Sequence, residues 1–533
     1  MLHTRSMKRL VIQVTGVMLL AVAVVAVACS SGDVSQEDFD AVQADLDARA
    51  AELAASQADA QTKAAALAAL QTQVDNTAPV TIVQTGQLLP PVAGMAPSGW
   101  DTDESIRGGL HLLAEYDSSG PDAWSAAEHP LVYFSSEGTE SSSITYDENA
   151  PYFAGFHIVD AYSKNVIGSF KVEETIDPVT SFPHGTGISP DGKWAYVGWR
   201  QTPEDGGDPY GVLAVVNIRT LKIDKLLKQE SYFEGGMRSQ SLHHIQSWTD
   251  DDGNDRVIVQ WGFGANGGPH HILDPNNDNK VVKAITYDDV KPMGHPFTTP
   301  DPTGQYVYVS IGSNWIREAH AEVAGIAKLD VKTGESEIIE GVGAHPIGIT
   351  HTQDGKFTYV VDGHGSFVFK IDNELNEVVG KTSAGVGGPY GIALNWDETE
   401  IWTVGKGEGS HNVGSVLGMI DATTFRPSRA FNQPLDLGGS ASSVDHAILH
   451  PDPDVNELWV SNMNGWETIV VNLDTYESTD WIATPNGGNT HSGAFVSYNP
   501  DWTGQLESDM GGPKSQEMQD AVASRVAQAA ALR

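Results

Sequence analysis

The stretch HGTGISPDGKWAYV, residues 184–197, is the clearest copy of a short sequence that recurs through most of the chain. Further copies begin at His244, His295, His345, Gly388, His446 and His491. The copies are spaced roughly 45–60 residues apart, and a period of this length is typical of propellers and solenoids. Each copy reads as an apolar run, an Asp-Gly type turn and a second apolar run, as in a β-hairpin. The sequence therefore predicts an array of small antiparallel sheets.

The strands expected in each repeat predict a β-propeller. KWAYVGW and FTYVVDG are typical of second strands, and SFVFKID and ETIVVNLD of third strands. The copy at His491 has a first strand without continuation, whereas the segment from Leu131 has later strands without an opening. Pairing these two ends would close a ring. We therefore expect an all-β, seven-bladed propeller over residues 126–505.

The composition limits the class of partner. The chain has 533 residues, of which 70 are acidic and 31 basic, for a formal net charge of −39. Such a negative surface repels phosphate backbones, so we expect no nucleic-acid partner.

The N-terminus has the features of a secretory signal. Residues 1–28 hold a basic start and an apolar stretch, and Ala-Val-Ala precedes Cys29, the single cysteine of the chain. This arrangement resembles a bacterial lipobox, which implies a signal peptide at 1–28, lipidation of Cys29 and a membrane-anchored, extracytoplasmic lipoprotein, periplasmic or on the cell surface. An uncleaved membrane anchor is the alternative. With Cys29 lipidated, no thiol is left for disulfides or metal binding.

The segment 29–76 is predicted to be a lipid-anchored helical stalk. Apolar residues recur every seventh position, although the complementary series is broken, so a coiled coil that makes a homo-oligomer and a lone spacer helix both stay open. The heptad positions are Phe39, Leu46, Leu53, Ala60, Leu67 and Val74. Residues 77–125 are interpreted as a linker, and 506–533 as a C-terminal tail that ends in a helix over 515–532.

Histidines mark the start of the repeats. In a propeller the first strand of each blade lines the central channel, so we expect the opening histidines at one common position around one mouth. They are His184, His244, His295, His345, His446 and His491, with His243 beside His244. Loops between second and third strands would add His270, His271, His364 and His411 to this mouth. The blade that opens at Gly388 has no such histidine but places Lys406 near the rim.

Clustered imidazoles have two interpretations. Neutral imidazoles gain little from proximity and repel one another when protonated. A shared transition metal, most naturally copper, explains their convergence, because imidazole nitrogen suits copper better than calcium or magnesium. Alternatively, the histidine was duplicated with the repeat and fills the channel as a polar plug.

The repeat resembles that of YVTN-type propellers, and the histidine set is similar to the catalytic domain of nitrous oxide reductase. The resemblance is carried by HGTGISPDGKWAYV, by GIALNWDETEIWTVGKGEGSH and by one adjacent histidine pair with five single histidines. It implies an oxidoreductase in which Lys406 is a polar, candidate catalytic group beside a small-molecule substrate. It also implies a copper site, with a copper–sulfide cluster as one form, held by His184, His243, His244, His295, His345, His446 and His491. The chain lacks the cysteines of that family's cupredoxin domain, so we expect a separate electron donor protein.

Two alternatives belong to other classes. ELWVSNMNGWETIVVNLDTYE resembles the haem-d domain of nitrite reductase and its relatives, which implies a haem in the channel. A non-catalytic YVTN-like propeller that binds a partner needs no cofactor.

Overall fold

The computed structural model describes most of the repeat region. The described residues are 110–138, 154–172, 179–180, 185–201, 210–229, 242–261, 270–285, 297–311, 324–407, 414–439, 443–485 and 489–532. The chain divides into two units, Met1–Pro79 and Val80–Arg533, and all described residues lie in the second. The predicted signal peptide, Cys29 and the predicted stalk lie outside the described residues.

Nearly all regular structure in this part of the chain is β-strand. In chain order the strands are β1 (Leu110–Glu115), β2 (Leu131–Gly138), β3 (Gly155–Asp160), β4 (Val166–Lys171), β5 (Val179–Thr180), β6 (Thr186–Ile188), β7 (Trp194–Gln201), β8 (Tyr210–Asn217), β9 (Lys222–Gln229), β10 (Leu242–Thr249), β11 (Asp255–Trp261), β12 (His270–Asp274), β13 (Lys280–Ile285), β14 (Thr298–Pro300), β15 (Tyr306–Ile311), β16 (Gly325–Asp330), β17 (Ser336–Glu340), β18 (Pro346–His351), β19 (Phe357–Asp362), β20 (Phe367–Asp372), β21 (Glu377–Ser383), β22 (Pro389–Leu394), β23 (Glu400–Gly405), β24 (Val416–Asp421), β25 (Arg426–Asn432), β26 (Val444–Leu449), β27 (Glu457–Asn462), β28 (Glu467–Asn472), β29 (Glu477–Ala483), β30 (Asn489–Tyr498), β31 (Gly504–Asp509) and β32 (Gly512–Pro513). The helical elements are a π-helical turn (Gln433–Leu437), a 3-10 turn (Met463–Gly465) and helix α1 (Gln516–Ala531).

These strands form seven antiparallel sheets, which confirms the predicted seven-bladed propeller. Blade 1 contains β30 and β2–β4, blade 2 β5–β9, blade 3 β10–β13, blade 4 β14–β17, blade 5 β18–β21, blade 6 β22–β25 and blade 7 β26–β29. The innermost repeat strand of each blade contacts that of the next blade, and β30 contacts β6, so the ring is continuous.

The two ends of the ring meet in blade 1, as the incomplete first and last repeats predict. Strand β30 pairs antiparallel with β2, with Val496 opposite Val132 and Gly493 opposite Ser135. The pairing gives both strands a neighbour and removes the open sheet edges that a broken ring would expose.

An aromatic side chain recurs at the corresponding position of the second strand in six blades. These residues are Phe134, Tyr196, Tyr308, Tyr359, Trp402 and Trp459. All are buried between sheets. Burial of a large apolar side chain stabilises a fold by about 1.5–3 kcal/mol. The repeated aromatic residue therefore makes a stabilising contribution of similar size in each of these blades.

Two segments outside the repeats add to the sheets. Residues 110–115, predicted to belong to a linker, form β1, which pairs with β9 at the outer edge of blade 2. The predicted tail begins within β31, which pairs with β30 on its channel side.

The C-terminal segment then crosses the end of the channel opposite the opening histidines. The Ser508 hydroxyl donates to the carbonyl of Leu449 on blade 7, and Gly511 lies against Gln246 of blade 3. Helix α1 follows, as predicted. The Ser515 side chain caps it by accepting from the Met518 amide, and Met518 and Val522 pack on the core of blades 6 and 7.

None of the helices in the described ranges is long and apolar enough to cross a membrane.

Candidate functional site

Among the described residues, five of the seven inner strands carry a β-bulge where they begin. This end of the channel, where His243, His244, His446 and His491 lie, is called the histidine mouth. In β10, Leu242 pairs with Trp261 and Ile245 with Val259, so three steps along β10 oppose two along β11. Four other inner strands repeat this shift. The bulged pairs are His243-His244, Ile347-Gly348, Tyr390-Gly391, Asp445-His446 and His491-Ser492. A bulge turns side chains away from the regular alternation of a strand, and here it brings His244, Tyr390 and His446 into contact with one another.

The prediction that the opening histidines share one position is therefore wrong for those described. His243 and His491 occupy the first bulge position, and His244 and His446 the second. His345 lies one residue before Pro346, which pairs with Asp362 just before the bulge of β18. The spacing of the histidines along the sequence does not reveal these differences, because a bulge adds one residue to the inner strand and shifts the position of each histidine in it.

Side chains of the second strands satisfy the backbone of the bulges. The Ser136 hydroxyl accepts from the amides of His491 and Ser492, at 3.2 and 3.0 Å. The Ser461 hydroxyl accepts from the His446 amide at 2.9 Å and donates to the carbonyl of His491 at 2.6 Å. Buried backbone groups need such partners, so these serines stabilise the bulges that carry the histidines.

Glycine is required at the second bulge position of blade 6. A Cβ atom on Gly391 would lie 2.5 Å from the carbonyl oxygen of Asp445, which is too close for any side chain. Its absence lets blades 6 and 7 approach each other at the mouth.

Tyr390 bridges the adjacent histidine pair from the other side of the channel. Its hydroxyl oxygen lies 3.0 Å from Nε2 of His243 and 3.0 Å from Nε2 of His244. A hydroxyl can donate to one ring and accept from the other. All three side chains are fully buried. Two imidazole nitrogens from blade 3 and one oxygen from blade 6 thus converge on one point.

Further rings pack around this group. The centroid of His446 lies 4.9 Å from that of His244 and 5.1 Å from that of Tyr390. Phe297 of blade 4 lies 5.2 Å from His244 and 5.8 Å from His446. Residues from four blades therefore meet at the histidine mouth in a water-poor, aromatic environment.

A buried carboxylate, Asp445, connects the histidines to Lys406. Its oxygens lie 2.9 Å from the Lys406 ammonium and 2.7 Å from Nδ1 of His491, and 3.4 Å from Nε2 of His446. Burial alone would raise the pKa of Asp445. The charge of Lys406, with the imidazoles of His491 and His446, outweighs burial and holds this pKa well below its usual range. Asp445 is therefore ionised.

Lys406 also contacts Tyr390. Its ammonium nitrogen lies 3.8 Å from the centre of the Tyr390 ring, a cation–π geometry. The polar network thus runs from Lys406 through Asp445 to two histidines, and from His446 through aromatic contacts to Tyr390 and the pair on blade 3.

The other predicted residues are placed as follows. His345 stacks on His364 at 4.3 Å, which brings the predicted loop histidine to the mouth. His270 and His271 begin strand β12 instead of lying in a loop, and burial, with the charge of His271, lowers the pKa of His270 to about 3. His184, His295 and His411 lie outside the described residues.

The described histidines and acids contain no group of three that is positioned to hold a metal ion. Two of the seven predicted ligands, His184 and His295, fall in segments that the structure does not describe. The contacts above join His243, His244, His446 and His491, four of the five predicted ligands that are described.

Two site residues were missed from the sequence. Tyr390 occupies the first bulge position of the one blade without an opening histidine, and Asp445 directly precedes His446. The hairpin turns of these blades differ in length, so only the strand register places both residues at the position of His243.

Comparisons with known proteins give likeness of fold only. No protein family profile matches the chain, and no curated protein matches it. Among solved structures, the dihydro-haem d1 dehydrogenase NirN, in complex with DHE, is 14% identical with a TM-score of 0.44, over 80% of this chain and 83% of that one. A candidate 6-phosphogluconolactonase from Bacteroides fragilis is 12% identical with a TM-score of 0.44, over 69% and 98%. Hydrazine synthase from Kuenenia stuttgartiensis is 14% identical with a TM-score of 0.40, over 65% and 99%. At such distances these proteins carry no argument about chemistry, and the chain is assigned to the seven-bladed β-propellers on its own seven sheets.

Proposed function

We propose that the histidine mouth binds copper and that the protein is an oxidoreductase acting on a small molecule, with nitrous oxide as the first candidate. The observation that carries the proposal is the convergence of His243 and His244, whose Nε2 atoms both lie 3.0 Å from one point, the Tyr390 oxygen. Space-filling alone does not require two adjacent buried imidazoles to aim the same ring nitrogen at one oxygen atom from another blade.

The donor atoms fit copper. Imidazole nitrogen is a good ligand for copper, and no thiolate lies in the described part of the propeller. When bound, copper would supply one-electron transfer and polarisation of a bound small molecule. The described residues that would hold it are His243 and His244, with His446 and His491 beside them.

The hydrogen bond of His491 also suits a copper ligand. Its Nδ1–H donates to Asp445, which leaves Nε2 as the nitrogen with the lone pair. Metal-binding histidines commonly donate their other nitrogen to a carboxylate in this way, because the contact fixes the ring and increases its basicity. Asp445 is thus a positioning residue in the proposal.

The remaining side chains would control what reaches the site. Phe297 and Tyr390 exclude water from the histidines, which strengthens electrostatic interactions there. Lys406 brings a positive charge to the same mouth and is held in place by Asp445 at 2.9 Å. A small neutral or anionic substrate suits this environment better than a cation.

The test is the metal content and absorption spectrum of the full-length protein, purified without oxygen and supplied with copper. We expect bound copper in the wild type and its loss in the double variant His243→Asn, His244→Asn. The matched control is His351→Asn, since His351 is also buried but lies at the end of β18 away from the histidine mouth. Copper retained by the double variant would contradict the proposed site.

The same spectrum tests the haem alternative. A Soret band in protein purified from its native compartment would show that the protein binds haem, and the proposed cofactor would then be haem instead of copper. Protein that binds neither would leave the polar plug, and the function would then be binding without catalysis.

A further inference from the structure

We propose that Tyr390 is itself a copper ligand, so that the site holds the metal through two imidazoles and one phenolate oxygen. This inference rests on the proposed function and deepens it, because it names a donor atom that is not a histidine. Tyr390 belongs to blade 6, the blade whose repeat lacks an opening histidine.

The distances match those between neighbouring ligands. Copper and zinc bonds to nitrogen and oxygen are about 2.0–2.1 Å long, so adjacent donor atoms lie about 2.9–3.4 Å apart for angles from square-planar to tetrahedral. Tyr390 Oη lies 3.0 Å from both Nε2 atoms. Donor and acceptor atoms of a hydrogen bond lie at this same separation. A metal ion would take the place of the protons that lie between Tyr390 Oη and the two Nε2 atoms.

The fold supports the same role. Tyr390 occupies the first bulge position of β22, the position that His243 occupies in β10 and His491 in β30. The bulge therefore aims Tyr390 at the channel axis as it aims the histidines. With Asp445 of β26, four blades present nitrogen or oxygen donors from this one position.

The ring of Tyr390 is held firmly enough to serve as a ligand. Lys406 lies over its face at 3.8 Å, and Asp445 fixes Lys406. The absence of a side chain at Gly391 keeps the strand close to Asp445. A preorganised donor loses little conformational freedom when the metal binds.

The binding step balances without any redox change. The Tyr390 O–H bond breaks, its proton passes to the buffer, and the oxygen forms a bond to Cu(II) with an electron pair that it already holds. The imidazole that donates its Nε2–H to Tyr390 gives up that proton and takes one up at Nδ1, so that each Nε2 binds the metal through its lone pair and one proton is released in total. Metal binding to protein donors generally releases protons in this way.

The experiment titrates Cu(II) into the full-length protein and records visible absorption and resonance Raman spectra. We expect a phenolate-to-copper charge-transfer band, with phenolate vibrations enhanced on excitation in that band. In Tyr390→Phe the band should vanish, and copper should bind at least about tenfold more weakly. The matched control is Tyr308→Phe, since Tyr308 is a buried tyrosine beside a histidine, His351, at the opposite end of the channel.

The outcomes separate the two proposals. Copper bound by the wild type without the band, and with equal affinity in Tyr390→Phe, would overturn the phenolate ligand and leave the histidine site in place. If no copper binds at all, both fall. The wild-type spectrum decides the question even if Tyr390→Phe fails to fold.

Discussion

Replacement of Asp445 by Asn should destabilise the protein strongly. The substitution keeps the shape of the side chain but removes the charge that faces Lys406 at 2.9 Å and His491 at 2.7 Å. The side chain of Asp445 is fully buried and that of Lys406 is only 6% exposed, so water cannot compensate for the lost carboxylate. Breaking a buried ion pair from one side costs about 3–5 kcal/mol, and we expect a loss in this range.

The assay is urea unfolding at neutral pH, followed by the fluorescence of the buried tryptophans. The double variant Asp445→Asn, Lys406→Met removes both charges and should recover most of the loss, because replacing a whole buried pair is often close to neutral. The control is Asp252→Asn, which removes one of the two carboxylates that face the exposed Lys332. That change should leave the free energy of unfolding unaltered, because water screens such a pair.

The pH dependence gives a second measure of the same contact. The pKa of Asp445 is lower in the folded protein than its ordinary value of 3.8, so its stabilising contribution is complete above about pH 4. The contribution is lost as the pH falls through the folded-state pKa. The difference between wild type and Asp445→Asn should therefore shrink as the pH falls below about 4. An Asp445→Asn protein as stable as the wild type at pH 7 would refute the reasoning.

Two further predictions concern positions away from this pair. Burial, with the charge of Lys514, lowers the pKa of His351 from 6.5 to about 3. As the pH falls, the unfolded chain therefore binds a proton at His351 at a higher pH than the folded protein does. Wild-type stability should fall as the pH drops from about 6.5 to 3. In His351→Asn, which can keep the hydrogen bond to Thr358, unfolding measured over this range should depend less on pH, and an unchanged slope would count against a neutral, buried His351. Ser136→Ala removes the acceptor of two bulge amides and should cost about 1–3 kcal/mol in urea unfolding, whereas no measurable loss would show that the bulge does not depend on that hydroxyl.

The ring and its closure could be predicted because both follow from local patterns. Alternating apolar residues and Asp-Gly turns identify the hairpins, and the incomplete first and last repeats predict the pairing of β30 with β2. Helix α1 follows from composition alone. The path of β31 into the channel could not be predicted, since GQLESD has no feature that selects the channel side of blade 1 over its outer edge.

The sequence predicts only the part of the site that follows from the repeat pattern. Convergence of His243, His244, His446 and His491 follows from the propeller geometry. Their exact partners depend on the bulge, which sets whether Tyr390 or Gly391 faces the axis and which no residue preference in the sequence specifies. Asp445 was overlooked because a carboxylate beside an opening histidine is common on a surface with 70 acidic residues, and only the register shows that this one is buried.

Anomalous diffraction at the copper absorption edge, from crystals of copper-loaded protein, tests the central claim most directly. The account predicts one or more copper peaks at the histidine mouth, within bonding distance of Nε2 of His243 and His244. Copper found only on the acidic surface, or no anomalous peak in protein that was supplied with copper in the absence of oxygen, would contradict it.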